Sequence, residues 1–180
     1  MVSVSVNVTV RILPVHEADT AAAADLVNRA FDRYGAFVAG PRTSHEGYLD
    51  EASARSRILA VEEHGTLIAT AMISPADDHI EQGDDGFGEQ HPWQGALYFG
   101  LAGVSPEQMG GGLGRMLVAK AESIAREEGF SAVALGTVRE YGLVEYYERQ
   151  GYRVIREREY PAGHWEFLAP HHYCEMVKPV

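Results

Sequence analysis

The segment Val104-Ser-Pro-Glu-Gln-Met-Gly-Gly-Gly-Leu-Gly-Arg-Met-Leu117 decides how the rest of the chain is read. An apolar run from Ala96 to Val104 enters it, and a helix-period segment from Leu113 to Glu128 leaves it. A glycine-rich turn therefore sits between a strand and a helix. Glycine has no Cβ, so its backbone N–H can come close to a phosphate. The helix that follows adds unpaired N–H groups and a partial positive charge. The segment thus reads as a pyrophosphate cradle. A Walker A loop is excluded, because Gly114 is followed by Arg115-Met116 in place of Lys-Ser/Thr. The dinucleotide pattern G-x-G-x-x-G is missed by one residue at Gly110, Gly112 and Gly114. The glycines alone leave a ligand-free flexible turn open as the alternative.

Composition sets the frame. With 180 residues and 46% hydrophobic content, the chain fits one domain spanning 1–180. No apolar run approaches the ~18 residues of a membrane span. Residues 3 to 13 alternate apolar and polar side chains and predict a strand; the start has neither the basic nor the apolar region of a signal peptide. Cys174 is the one cysteine, so no internal disulfide can form, and a reducing cytoplasm is expected. The net charge of −11 disfavours nucleic acid and suits an amine-bearing substrate, with a merely solvated acidic surface as the plainer reading. Lysine occurs only at 120 and 178, a bias that fits a GC-rich bacterial genome.

Glu17 to Tyr34 predicts a helix with Ala23, Leu26, Val27, Ala30 and Phe31 on one face. A second helix is expected from Thr43 or Ser44 to about Ser56, with Thr43 and Glu46 matching a capping box. Two short strands, Arg57 to Glu63 and Thr66 to Ser74, flank a His64-Gly65 hairpin turn. Residues 75 to 94 are acidic and glycine-rich, and read as a surface loop or a substrate lid. Asp84-Asp85-Gly86 lacks the ligand spacing of a calcium loop. Gly100 and Gly103 inside the central strand, about Leu97 to Val104, mark a bulge or a close approach. The next helix is expected to bury Leu113, Leu117, Ala121 and Ile124 and to expose Lys120, Glu122 and Arg126. Ala132 to Val138 predicts a buried strand with a parallel neighbour, followed by a helix over Tyr141 to Gln150 and strands over Tyr152 to Arg158 and His172 to Val177.

This order of elements, with Val104-x-Pro106 and Gly110-x-Gly112-Leu113-Gly114-x-x-Leu117, resembles the GNAT superfamily of N-acetyltransferases. Leu143-Val-Glu-Tyr-Tyr-Glu-Arg-Gln-Gly-Tyr152 is similar to that family's second motif. The resemblance implies a single α/β (α+β) domain whose mixed, mostly antiparallel sheet splays around an acetyl-CoA site and is flanked by helices. It implies acetyl-CoA as co-substrate and direct transfer of acetyl to a primary amine in a ternary complex. On it, backbone N–H groups from Met109, Gly110, Gly111, Gly112, Leu113, Gly114 and Arg115 face the pyrophosphate, and Ala102, Gly103 and Val104 pair with the pantetheine arm. A backbone N–H near Gly103 stabilises the oxyanion, and Tyr147 is the acid that protonates the leaving thiolate.

Three positions depart from the family pattern. Met109 stands where Gln or Arg is usual, with Gln108 one step earlier. Glu140 stands where many relatives carry a cofactor-touching Asn. Thr137 stands where ribosomal-protein acetyltransferases carry a glutamate. The base is open between Tyr98, Glu62 and His91 acting through water. Trp93 and Phe87 are expected either at a substrate pocket or packed on the surface. His171 and His172 point to opposite faces of a strand and so cannot share one ion; no metal site is expected. Cys174 has no partner histidine that would make it a nucleophile. A small amine acceptor is expected, with no nucleic acid and no membrane. Two alternatives remain: a catalytically silent acyl-CoA-binding module, motivated by Met109 and Glu140, and a protein N-terminal or lysine acetyltransferase with an open peptide groove. A homodimer is compatible with the sequence, which does not fix the oligomeric state.

Overall fold

In the computed structural model, which describes residues 9–80 and 91–180, seven strands form one sheet in the order β1-β2-β3-β4-β5-β7-β6. In chain order the elements are β1 (Val10–Pro14), α1 (Thr20–Phe31), α2 (His45–Asp50), β2 (Arg57–Glu63), β3 (Thr66–Pro75), β4 (Leu97–Val104), α3 (Leu113–Glu128), β5 (Ala132–Val138), α4 (Val144–Glu148), β6 (Arg153–Tyr160) and β7 (His171–Pro179). The β4–β5 pair is parallel and the other neighbours are antiparallel, as a crossover through α3 requires.

Strand alternation sends side chains to two helical layers. On one face Leu59, Ala71, Ile73, Leu97 and Phe99 pack under Leu113, Leu117, Ala121 and Ile124 of α3 and Val144 of α4. On the other, Ile58 and Met72 meet Ala23, Ala24 and Val27 of α1 and Tyr48 of α2. The Asp19 carboxylate caps α1 by accepting from the Ala22 N–H at 2.9 Å. His64 and Gly65 both have positive φ (51° and 80°), which matches the twist of the β2–β3 hairpin they close.

Several expectations are corrected. The cap of α2 is Ser44, which accepts from the Gly47 N–H at 2.8 Å; Thr43 instead donates to the Ser44 carbonyl, so the Thr43–Glu46 box does not form. That helix ends at Asp50, because Ser53 and Ser56 bond each other's backbone and make a separate turn. Glu122 is buried: the Lys178 ammonium donates to both its oxygens at 2.9 Å, and the Tyr152 hydroxyl donates at 3.3 Å. Trp93 packs among Ala76, Ala96, Ala132, Ala134 and Val177 and does not line the cleft described below. Strand residues 3–8, Asp84-Asp85-Gly86 and Phe87 lie outside the described residues. Among the described residues no helix is long and apolar enough to cross a membrane.

Candidate active site

The parallel pairing of β4 with β5 stops after Leu97↔Val133 and Tyr98↔Ala134. From Phe99 to Val104 the β5-facing edge of β4 is unpaired, and the strands part into a wedge. Two tyrosines lie across its walls. A Cβ on Gly100 would overlap the Tyr98 ring, and one on Gly136 would overlap the Tyr173 hydroxyl. Glycine at these positions is what lets the phenols lie flat against the strands. The wedge opens into a cleft of about 1180 Å³ bounded by the glycine loop, the ends of α1 and α3, α4 and the β6–β7 connection.

The glycine loop carries a set of free donors. Gly112, at φ 87°, caps α3 in the left-handed conformation. The Gly111 N–H donates to the Gln108 carbonyl (3.2 Å), and that of Met109 to Pro106 (3.4 Å), so these two amides are spent within the loop. The backbone N–H groups of Gly110, Gly112, Leu113, Gly114 and Arg115 have no acceptor among the described residues. All five residues line the cleft, whereas Gly111 does not. The Arg115 guanidinium is exposed and has no partner among the described residues. Five converging amides at a helix N-terminus form an anion site. Gln108 does not replace the residue expected at 109; its amide donates to Glu63 at 3.2 Å.

Gly103 plays a different part from the one expected. Ser105 donates its N–H to the Ile68 carbonyl at 2.8 Å, and Gly103 pairs with Thr70 on the same ladder. Alternation along the ladder turns the Gly103 N–H toward β3, away from the wedge. The residues that β3 leaves out of register are Leu101 and Ala102, where Leu101 adopts φ 43° in a bulge. The amides of this bulge and of Val104 are those available on the open side. Gly103 serves packing: a Cβ there would sit 3.0 Å from the Val27 Cα of α1.

Tyr147 lies on α4, half-buried, with its ring edge-on to Tyr146 and Tyr152, and it lines the cleft. Burial pushes its hydroxyl well above the usual 10, so it stays protonated at neutral pH. Burial also pushes Tyr98 up to about 12. Of the three candidates for a base, only Tyr98 reaches the cleft. Glu62 on β2 is salt-bridged to Arg11 of the edge strand β1 at 3.0 Å, and His91 lies 3.7 Å from the Glu175 carboxylate; neither lines the cleft. Glu140 is also withdrawn. Its carboxylate accepts from the His172 N–H (3.1 Å) and contacts the His172 ring (2.8 Å), so at the position where the family pattern has a cofactor-touching Asn this side chain is held outside the cleft lining.

Sequence reasoning missed much of the opposite wall. Tyr34, Tyr141, Trp165, Glu166, Phe167 and Tyr173 line it, as do Arg42 and Glu51, whose side chains pair at 3.3 Å. Six tyrosines line the cleft in all (Tyr34, Tyr98, Tyr141, Tyr146, Tyr147 and Tyr173), and none of their hydroxyls bonds to the described protein. Thr137 is buried and lines the cleft from β5.

Comparison with known proteins agrees with this geometry. The model of the acetyltransferase (GNAT) family matches residues 22–152. The fold is similar to the ribosomal-protein-S18-alanine N-acetyltransferase of Escherichia coli, at TM-score 0.67 and 16% identity over 96% of this chain and 94% of that one. It is also similar to a ribosomal-protein-alanine N-acetyltransferase from Brucella melitensis (0.64, 19%, 94% and 99%) and an N-acetyltransferase from Staphylococcus aureus Mu50 (0.64, 13%, 94% and 97%). No curated protein matches the sequence. With the family model covering well over half its length and the splayed strand and glycine loop in place, the chain belongs to the acetyltransferase (GNAT) family.

Proposed function

We propose that the protein transfers acetyl from acetyl-CoA to the primary amine of a small molecule by direct attack. The observation that carries this reading is the row of five unpaired amides opening onto the wedge. A diphosphate is the ligand chemistry that fits them, and acetyl-CoA supplies the activated acyl group. The amides of Gly110, Gly112, Leu113, Gly114 and Arg115 hold the diphosphate, with the Arg115 side chain adding charge. The free edge of β4 at Ala102 and Val104 receives the pantetheine amides as an added strand would. An amide of the Leu101–Ala102 bulge stabilises the oxyanion, a role worth roughly 3–4 kcal/mol in known cases. The amine nitrogen bonds to the acetyl carbon, the carbon–sulfur bond breaks, Tyr147 gives its proton to the departing sulfur, and water takes the proton lost by the amine.

A small acceptor is favoured over a polypeptide by the rim. The loop after α1 and the β6–β7 connection bond each other through Ala39 N–H to the Glu166 carbonyl (2.9 Å), Leu168 N–H to the Phe37 carbonyl (2.9 Å) and a Val38↔Phe167 bridge. Their backbones are thereby spent, which leaves this rim no free edge for a peptide to pair with. The test is calorimetry with acetyl-CoA, then thiol release with an amine panel. Tyr147→Phe is expected to lower kcat by about 100-fold with the acetyl-CoA Kd unchanged. Tight binding without thiol release for any amine marks the silent binding module instead.

A further inference from the structure

We infer that Arg33, at the end of α1, is a second cation of the phosphate cradle and grips the diphosphate of coenzyme A together with Arg115. The inference deepens the acetyltransferase reading and rests on it.

Arg33 lies in a single 3-10 turn, Asp32–Tyr34, that continues α1. Its guanidinium reaches Met109, 76 positions later, and donates to the thioether sulfur at 3.5 Å. A thioether is a weak acceptor and a guanidinium carries five N–H donors, so this contact aims the side chain without consuming it. The Tyr34 ring lies 5.3 Å from the guanidinium carbon and adds a second hold. No carboxylate pairs with Arg33 among the described residues. Its neighbour Asp32 also lines the cleft without an ion pair, but it is Arg33 that the Met109 contact carries to the glycine loop.

Met109 stands immediately before the row of unpaired amides and has nothing of its own to give an anion. Its N–H is spent on the Pro106 carbonyl, and its side chain holds no donor. Arg33 brings donors to that point from another element. Arg33, Met109, Gly110, Gly112 and Arg115 all line the cleft. Helix α1 packs on one face of the sheet and α3 on the other, so the two guanidiniums come to the loop from opposite faces. The cleft's other arginine, Arg42, is already paired with Glu51. In a chain of net charge −11, two arginines without carboxylate partners at one loop mark the place of an anion. A diphosphate presents oxygens from two linked phosphoryl groups, and the planar fork of a guanidinium fits such oxygens two at a time.

The test uses the full chain and calorimetric titration with coenzyme A and with 3′-dephospho-coenzyme A, beside ligand-free thermal melts. Arg33→Ala is expected to raise Kd about tenfold for both ligands, the loss of one exposed charge-assisted contact. Its ligand-free Tm should stay at the parent value, because the side chain is exposed and holds only a weak sulfur contact. Arg33→Lys should fall between the two, keeping the charge but not the fork. The double variant Arg33→Ala/Met109→Arg should recover most of the lost affinity, because it returns a guanidinium to the same point from the loop itself. An unchanged Kd in Arg33→Ala overturns the inference. So does a loss confined to coenzyme A, which would put the contact on the 3′-phosphate, or a loss that neither Arg33→Lys nor the double variant reduces. In each of these cases the acetyltransferase reading stands. If the parent protein binds neither ligand, both fall.

Discussion

Helix α3 carries its own control experiment. It runs for 16 residues between Gly112 at φ 87° and Gly129 at φ 80°, and a Cβ at either glycine would meet nothing within 4 Å. Alanine at either end therefore costs the same backbone strain, about 1–2 kcal/mol, partly offset by about 0.4–1 kcal/mol of lost unfolded-state freedom. In a domain of this size each kcal/mol moves Tm by about 2–4 °C, so both variants should melt by the same amount, about 0–6 °C, below the parent. Coenzyme A should separate them. The methyl of Gly112→Ala enters the space in front of the unpaired amides of Gly112 to Arg115, whereas that of Gly129→Ala sits about 24 Å away along the helix. Displacing the diphosphate from one charge-assisted hydrogen bond costs about 1.5–3 kcal/mol, which is about a 10- to 150-fold rise in Kd. Ligand-free thermal melts and calorimetric titration with coenzyme A on both variants make the measurement. Equal Kd values for Gly112→Ala and Gly129→Ala, with equal melting shifts, would refute the loop as the phosphate cradle.

Three other outcomes follow from contacts in the fold. Gly103→Ala drives a methyl to 3.0 Å from the Val27 Cα and 3.3 Å from the Leu26 carbonyl, which only movement of α1 relieves. A cost of about 1–3 kcal/mol and a Tm loss of about 2–12 °C in thermal melts are expected. Glu122→Ala strands the Lys178 ammonium and the Tyr152 hydroxyl; urea unfolding should show a loss of about 1–3 kcal/mol, and a cycle with Lys178→Met should show coupling between the two. His172 is raised above 6.5 by its hydrogen bond to Glu140, while Glu140 lies below 4.5, because the bonds from His172 outweigh the upward push of burial. The pair's contribution is therefore complete between about pH 4.5 and 6.5. It fades as pH rises through the folded value of His172, and also as pH falls through that of Glu140. Proton NMR should find the His172 ring titrating above 6.5, and below its parent value in Glu140→Gln.

Local pattern made most of the elements readable. The glycine loop is bounded by a strand and a helix with unmistakable periods, and Gly112 and Gly129 punctuate α3 at both ends. The hairpin at His64-Gly65 and the parallel neighbour of Ala132–Val138 follow from the same kind of signal. What escaped depends on partners distant in the chain. Glu122 looks like a surface residue until Lys178, 56 positions later, arrives beside it. Glu140 sits where a cofactor contact was expected until His172, 32 positions on, claims its carboxylate. The direction of the Gly103 amide depends on a bulge opposite Ala71, and ladder register is not written in strand composition. Trp165 and Glu166 carry no local cue for a left-handed backbone, since the residue types that favour it are absent there.

The position of the site can also be argued from how the molecule spends its polar groups, without reference to any relative. Away from the cleft, long-range charges are matched: Glu122 with Lys178, Arg156 with Glu175, Arg139 with Glu157, Arg57 with Glu128. Around the cleft, the Arg42–Glu51 pair aside, polar groups are left open. Five amides, six phenol hydroxyls, the Glu166 carboxylate and the Arg115 guanidinium converge with no protein partner among the described residues. In a chain of net charge −11, ready carboxylates are abundant, yet none is brought to Arg115. Groups that contribute nothing to the folded state by pairing are retained where a ligand completes them. Their arrangement is also ordered: unpaired amides lie at the loop, and the Tyr98 and Tyr173 hydroxyls lie in the wedge. The donors and the hydroxyls thus meet at the point where β4 and β5 separate, which is where the proposed transfer is tested.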